Sequence, residues 1–208
     1  MAPRMIGIGI KGKSYGDQPV LGNVCLEIAS GECVAVLGPS GIGKTTLLRI
    51  AAGLDPEFDG HVTRPERISM VFQEPTLLPW RTAGDNIRLI TGASDASVKE
   101  ALVRVGLDGK ADRLPDQLSL GQRRRLSLAR AFAAKPQFLV MDEPFASLDK
   151  SLANDMIALT LELLADASIA TLLVTHSEHE ASRLASSVYL LHGQPANLSQ
   201  TRLPSGLS

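Results

Sequence analysis

The sequence predicts an α/β domain with a largely parallel sheet, and three observations carry that prediction. Short apolar runs alternate with longer stretches of helical periodicity. A glycine-rich turn joins one of those runs directly to a helical pattern. The composition, 44% hydrophobic and 21% charged over 208 residues, suits a globular chain long enough for one compact core.

The elements follow in order. Residues 6 to 32 hold short, glycine-punctuated, alternating segments, which predict antiparallel strands. Cys33-Val-Ala-Val-Leu37 reads as a buried strand. Thr45 to Ala52 has apolar residues at 47, 48, 50 and 51 and reads as a helix, with Gly53 as its C-terminal stop. Residues 76 to 121 contain helical pieces and no strong strand, which predicts a helical insertion. Three further buried strands are read at 138–141, 170–174 and 188–191, with helices at Gln122 to Ala134 before the first and Leu152 to Ala165 between the first and second. The tail from about Asn197 is rich in Ser, Pro and Gly and is expected to be partly disordered. The whole chain, 1–208, is read as a single domain.

Charge and cysteine content narrow the function. Lys and Arg total 21 against 22 Asp and Glu, a net charge of −1. General nucleic-acid binding needs a basic surface, so no nucleic-acid partner is expected. The two cysteines, Cys25 and Cys33, read as reduced core residues rather than a disulfide framework. The N-terminal residues predict no secretory signal, and no apolar run is long enough to span a membrane.

Gly38-Pro39-Ser40-Gly41-Ile42-Gly43-Lys44-Thr45 fits G-x-x-x-x-G-K-S/T, between a strand and a helix that continues through Thr46. Glycines there allow tight turns whose N–H groups face an anion, and the helix N-terminus adds its positive dipole. Lys44 is suited to the β- and γ-phosphates of a nucleoside triphosphate, and the Thr45 hydroxyl to Mg²⁺. Further along, the strand at 138–141 runs into Asp142 and Glu143. Asp142 can hold Mg²⁺ through water, and Glu143 can accept a proton from an attacking water.

Leu118-Ser-Leu-Gly-Gln122, just before a helix, resembles the LSGGQ-type signature of the ATP-binding subunits of ABC transporters. Ser147-Leu148-Asp149 resembles that family's D-loop, His176 its switch histidine, and Gln73 its Q-loop glutamine. Tyr15 stands where the family places an aromatic ring that stacks on adenine. Each residue has a plain structural reading by itself: a strand-end histidine, a helix cap, a surface amide, a half-buried strand tyrosine. Their common order from about residue 6 to 195 makes one consistent set.

The resemblance implies a P-loop NTPase (RecA-like) core with an antiparallel β subdomain and a helical subdomain carrying the signature. It also implies an ATPase that uses ATP and Mg²⁺, with Glu143, His176 and Gln73 catalytic and Thr45, Gln73 and Asp142 at the metal. Two copies are expected to close over ATP as a homodimer, with Ser119, Gly121 and Gln122 acting in trans on the partner's nucleotide. The expected partners are an integral membrane permease and a separate solute-binding protein, with the chain peripheral on the cytoplasmic face of the cell membrane. No extra C-terminal regulatory domain is expected. A soluble, non-transport ABC ATPase, such as one of iron–sulfur assembly, is the alternative. A small-molecule P-loop kinase would not need the Ser119-Leu-Gly121 element.

Two departures carry information. Leu120 replaces the usual first glycine of the signature, which requires an ordinary backbone conformation there. Gln122-Arg-Arg-Arg125 is a dense positive run, read as a solvated first helical turn. Finally, Val71-Phe-Gln-Glu-Pro-Thr-Leu-Leu-Pro-Trp80 resembles the FQEPxLLPW segment of the nitrate, sulfonate and taurine importer branch. Leu77, Leu78 and Trp80 are read either as apolar anchors for a permease helix or as internal packing of the helical insertion.

Overall fold

In the computed structural model, which describes residues 4–201, two sheets share one face of packing. The antiparallel sheet is organised on β1 (Arg4–Tyr15), which pairs with β2 (Gln18–Leu21), β3 (Val24–Ala29) and β5 (Asp59–Thr63). β3 shows why it lies here: Val24, Leu26 and Ile28 are buried while the intervening residues are exposed, the period-two pattern of a half-buried strand. That alternation turns Cys25 outward, so the expectation of two core cysteines holds for Cys33 alone. Burial beside Glu32 pushes the Cys33 thiol up to about 12, which keeps it protonated and inert.

The central sheet has six strands in the order β10-β9-β4-β8-β7-β6. β4 (Cys33–Leu37), β6 (Ile68–Val71), β7 (Phe138–Asp142), β8 (Ala170–Thr175) and β9 (Ser187–His192) run parallel. β10 (Asn197–Thr201) returns antiparallel along β9. Residues 197–201 therefore correct the expectation of a disordered tail. Every non-proline residue in a strand brings a donor and an acceptor, and β9 supplies the ladder that outweighs local composition. The remainder of that expected tail, 202–208, lies outside the described residues.

The sheet's pleat sorts its apolar residues onto two faces. Val34, Val36 and Val140 pack with Leu47, Leu48 and Ile50 of α1 (Lys44–Ala52) and with the antiparallel sheet. Ala35, Leu37, Leu139 and Met141 pack on the other side, against α4 (Leu120–Ala133), α5 (Lys150–Ala165) and α6 (Glu178–Leu184). Such central strands are buried on both faces and read as continuous apolar runs. The predicted helical insertion contains α2 (Ala83–Thr91), α3 (Asp95–Arg104) and a short 3₁₀ turn at Pro115–Gln117. β5, β6 and α6 have no counterpart in the sequence reading, being short or weakly patterned.

The arginine run is also corrected. Arg124 is buried, and its guanidinium donates to the Pro144 and Ala146 carbonyls, each at 3.3 Å. Arg125 donates to the Val105 carbonyl at 3.2 Å. These arginines satisfy backbone acceptors at the joint between the helical insertion and the core instead of facing water.

Candidate functional site

The phosphate loop is built between β4 and α1. Gly43 sits at the helix N-cap with φ 112° and offers no side-chain cap. A Cβ on Gly43 would lie 2.9 Å from Leu21 Cδ2 and 3.0 Å from Val20 Cγ1, so the position requires glycine for both conformation and space. The Lys44 ammonium is buried, donating to the Gly38 carbonyl at 2.9 Å and the Pro39 carbonyl at 3.0 Å. Ile42 packs beneath the loop with the core on the α1 side.

A cleft of about 530 Å³ opens over this loop. Ser40, Gly41, Gly43, Lys44, Thr45 and Thr46 line one side. Gln73, Asp142 and Glu143, together with Val20, line the rest. The Thr45 hydroxyl donates to Asp142 Oδ2 at 3.1 Å. Burial pushes the Asp142 carboxyl above its ordinary range, partly offset by that hydrogen bond. A hydroxyl, a carboxylate and an amide oxygen are hard ligands of the kind Mg²⁺ takes, so the donor set fits that ion.

Glu143 has φ 44°, an uncommon conformation for a side-chain-bearing residue, and its N–H donates to the Val174 carbonyl at 2.9 Å. The loop thereby turns its carboxylate back into the cleft. Glu143 Oε1 lies 3.2 Å from Lys44 Nζ, and Oε2 lies 3.1 Å from His176 Nδ1. His176 follows β8 and is exposed beside the cleft. Thr175 holds this turn, donating to buried Glu180 at 2.6 Å and accepting from the Ser177 N–H at 3.0 Å.

The signature residues stand apart from this cleft. Ser119 caps α4 by accepting from the Gln122 N–H at 3.2 Å, and Gln122 Oε1 accepts from the Ser119 N–H at 3.0 Å. This reciprocal capping box starts the helix two residues before the predicted Gln122. Leu120, at the first helical position, is exposed and has no left-handed φ, as its side chain requires. Gly121 is closely packed: a Cβ there would lie 3.0 Å from Leu152 Cδ1, which would have to give by a few tenths of an ångström. Asp149 caps α5, accepting from the Leu152 N–H at 3.0 Å. Ser147 takes φ 63°, so the segment between Glu143 and α5 carries two unusual backbone positions.

Tyr15, at the end of β1, is 49% exposed and does not line the phosphate cleft. The three residues after the Q-loop divide between core and surface. Leu77 packs against the helical side of the core. Leu78 lines an open groove of about 750 Å³ with Phe72, Leu89 and Ile90. Trp80 is 71% exposed.

A family model described as "ABC transporter" matches residues 21–146. The chain belongs to the ABC transporter family. It is the ATP-binding type of subunit, an ATPase, and such a subunit acts with a membrane permease. It is 40% identical to the aliphatic sulfonates import ATP-binding protein SsuB 2 of Burkholderia cenocepacia (strain HI2424), over 95% of this chain and 77% of that protein. Identity to SsuB 1 of Pseudomonas aeruginosa (strain UCBPP-PA14) is 42%, over 89% of this chain and 81% of that one. For SsuB 1 of Pseudomonas syringae pv. syringae (strain B728a) it is 39%, over 100% and 88%. The fold matches an ABC transporter solved in an inward-facing conformation, with a TM-score of 0.84 at 22% identity, covering 95% of this chain and 84% of that one. Among the described residues, no helix is long and apolar enough to cross a membrane.

Missing from the sequence reading were Val20, which lines the cleft, and Lys13 and Asp55, which touch Tyr15. The two-residue spacing of Lys13 and Tyr15 on one strand was the available signal for the first of that pair.

Proposed function

We propose that this chain is the ATP-hydrolysing subunit that energises a permease importing aliphatic sulfonates across the cell membrane. The observation that carries the ATPase chemistry is the shared cleft, in which Glu143 lies 3.2 Å from Lys44 and Asp142 accepts from Thr45 at 3.1 Å. The sulfonate cargo rests on the relatives' names and on the Val71–Trp80 segment. Both favour transport over a non-transport ABC ATPase.

In this reading Gly38, Pro39, Ser40, Gly41, Ile42, Gly43, Lys44, Thr45 and Thr46 form the triphosphate cradle, and Tyr15 stacks on the base. Thr45, Asp142 and Gln73 would hold Mg²⁺, which would supply charge neutralisation at the triphosphate. Glu143 takes the proton of the attacking water, and His176 fixes the orientation of the Glu143 carboxylate and of the γ-phosphate. Gln73 reports nucleotide state to the permease. A second copy contributes Ser119, Gly121 and Gln122 at the start of its α4, closing two nucleotides in a homodimer. Loss of the γ-phosphate removes the bridge between copies, so the dimer opens. The groove holding Leu78, with Trp80 at the surface nearby in sequence, receives a permease helix on the cytoplasmic face, and a separate solute-binding protein delivers cargo.

The test is reconstitution of this chain with its co-purified permease in liposomes. ATP hydrolysis should rise when solute-binding protein loaded with an alkylsulfonate is supplied, and should not rise with the unloaded protein. Stimulation by nitrate or a pyrimidine precursor in place of the sulfonate would reassign the cargo.

A further inference from the structure

A buried lysine lies against the ring that the proposed function assigns to the base. Lys13 is 4% exposed, and a buried ammonium is costly unless it is paired. Its Nζ donates to Asp55 Oδ1 at 2.7 Å and to the Glu57 carbonyl at 2.6 Å, and it stands 4.5 Å from the centroid of the Tyr15 ring. The second Asp55 oxygen accepts from the Tyr15 hydroxyl at 2.8 Å. The ring is therefore held over its face by a cation and at its hydroxyl by the counter-ion of that same cation. An exposed tyrosine without such contacts would sample several rotamers and lose that freedom on stacking.

The tether also has a definite anchor. Asp55 follows Gly53, the C-cap of α1, and the Leu54 and Asp55 N–H groups donate to the Arg49 carbonyl at 2.8 and 3.2 Å. α1 begins at Lys44 in the phosphate loop. One rigid helix thus has the phosphate cradle at its start and the tyrosine's clamp just past its end. From the other side, β2 pairs with β1 at Tyr15 and packs Val20 and Leu21 against Gly43.

We propose that Lys13 and Asp55 are positioning residues for nucleotide binding: they lock the Tyr15 ring at a set distance from the phosphate loop, so that a base stacks without further ordering of the protein. This inference rests on the reading of Tyr15 as the base-stacking ring. A simple staple between β1 and the loop after α1 would serve stability alone. A positioning clamp must instead distinguish ligands with a base from ligands without one.

Binding to the full-length chain is measured by calorimetry for Mg-ATP, and by competition for inorganic tripolyphosphate, which has the phosphates and no base. Tyr15→Ala should weaken ATP on the order of ten-fold and leave tripolyphosphate unchanged. The double variant Lys13→Met/Asp55→Asn removes both charges together, so no buried ion is stranded, and keeps an acceptor for the tyrosine hydroxyl. It should weaken ATP roughly five-fold with tripolyphosphate unchanged. Equal weakening of both ligands, or full ATP affinity in the double variant while Tyr15→Ala remains defective, overturns the clamp and leaves the stacking role intact. Full ATP affinity in Tyr15→Ala would remove the stacking role, and the clamp with it.

Discussion

The Lys44 ammonium and the Glu143 carboxylate form a 3.2 Å ion pair across the phosphate cleft. The lysine also donates to the Gly38 and Pro39 carbonyls, and the other Glu143 oxygen faces His176 Nδ1 at 3.1 Å. In the proposed mechanism, the cation assigned to the phosphates and the proposed base are thus paired with each other. Triphosphate oxygens seated on the loop would compete with Glu143 for the ammonium and release that carboxylate toward water. On that reading, binding and base activation would be a single rearrangement.

Glu143→Gln tests that coupling. The amide keeps the shape and can accept from Lys44 but cannot take a proton, so ATP should bind while turnover falls by about 10²- to 10⁴-fold. Light scattering on a sizing column should show a dimer for this variant only with ATP present. Adding Ser119→Arg should abolish the dimer while nucleotide binding to the chain's own loop persists. A Glu143→Gln protein that hydrolyses ATP at the native rate would sink the mechanism.

His176→Ala removes the partner of Glu143 Oε2. His176 is exposed, so the thermal midpoint should stay within about a degree or two of native, as for most surface substitutions. Single-turnover hydrolysis should fall by about 10²-fold or more, with the ATP dissociation constant little changed. A change confined to ATP affinity would show that the histidine binds and does not orient.

Trp80→Ala separates docking from folding. With 71% of its surface exposed, Trp80 should contribute little to the stability of the isolated subunit, within about 0.5 kcal/mol. Removing an interface tryptophan typically costs about 2 kcal/mol or more, so co-purification with the permease should drop sharply. Unimpaired assembly of the Trp80→Ala subunit would take this residue out of the interface.

Glu180 should make stability depend on pH. Burial pushes its carboxyl above the ordinary 4.5, against the Thr175 hydrogen bond and the nearby His176 and His179, while Glu143 adds to the rise. The folded state therefore holds the Glu180 proton more tightly than the unfolded chain does. Its contribution is fully present below 4.5 and declines as pH rises toward the folded value. Glu180→Gln stays neutral and can still accept from Thr175. Its thermal midpoint should gain on the native protein as pH rises from about 4 to 7. Asp142 titrates in both proteins and cancels in that difference.

Local order along the chain determined a great deal. The strand–loop–helix at 33–52, the strand ending in Asp142 and the helix read from Gln122 were legible because each is specified by neighbouring residues. A five-residue apolar run, a glycine-rich turn and a helical apolar period need no distant partner to be recognised. What tertiary structure decided depends on contacts between remote residues. Asn197–Thr201 becomes a strand because β9 offers it a ladder. Arg124 is buried because Pro144 and Ala146, on another element, present carbonyls at its depth. Leu77 turns to the core while Trp80, three residues on, stays in solvent, since only the packed neighbours separate two apolar side chains in one segment. Lys13 meets Asp55 across 42 positions of sequence, and that pairing alone turns a strand tyrosine into a clamped ring. Periodicity and motif spacing encode what the backbone will do locally. Which side chains share a buried charge is fixed only when the fold brings them together and desolvates them.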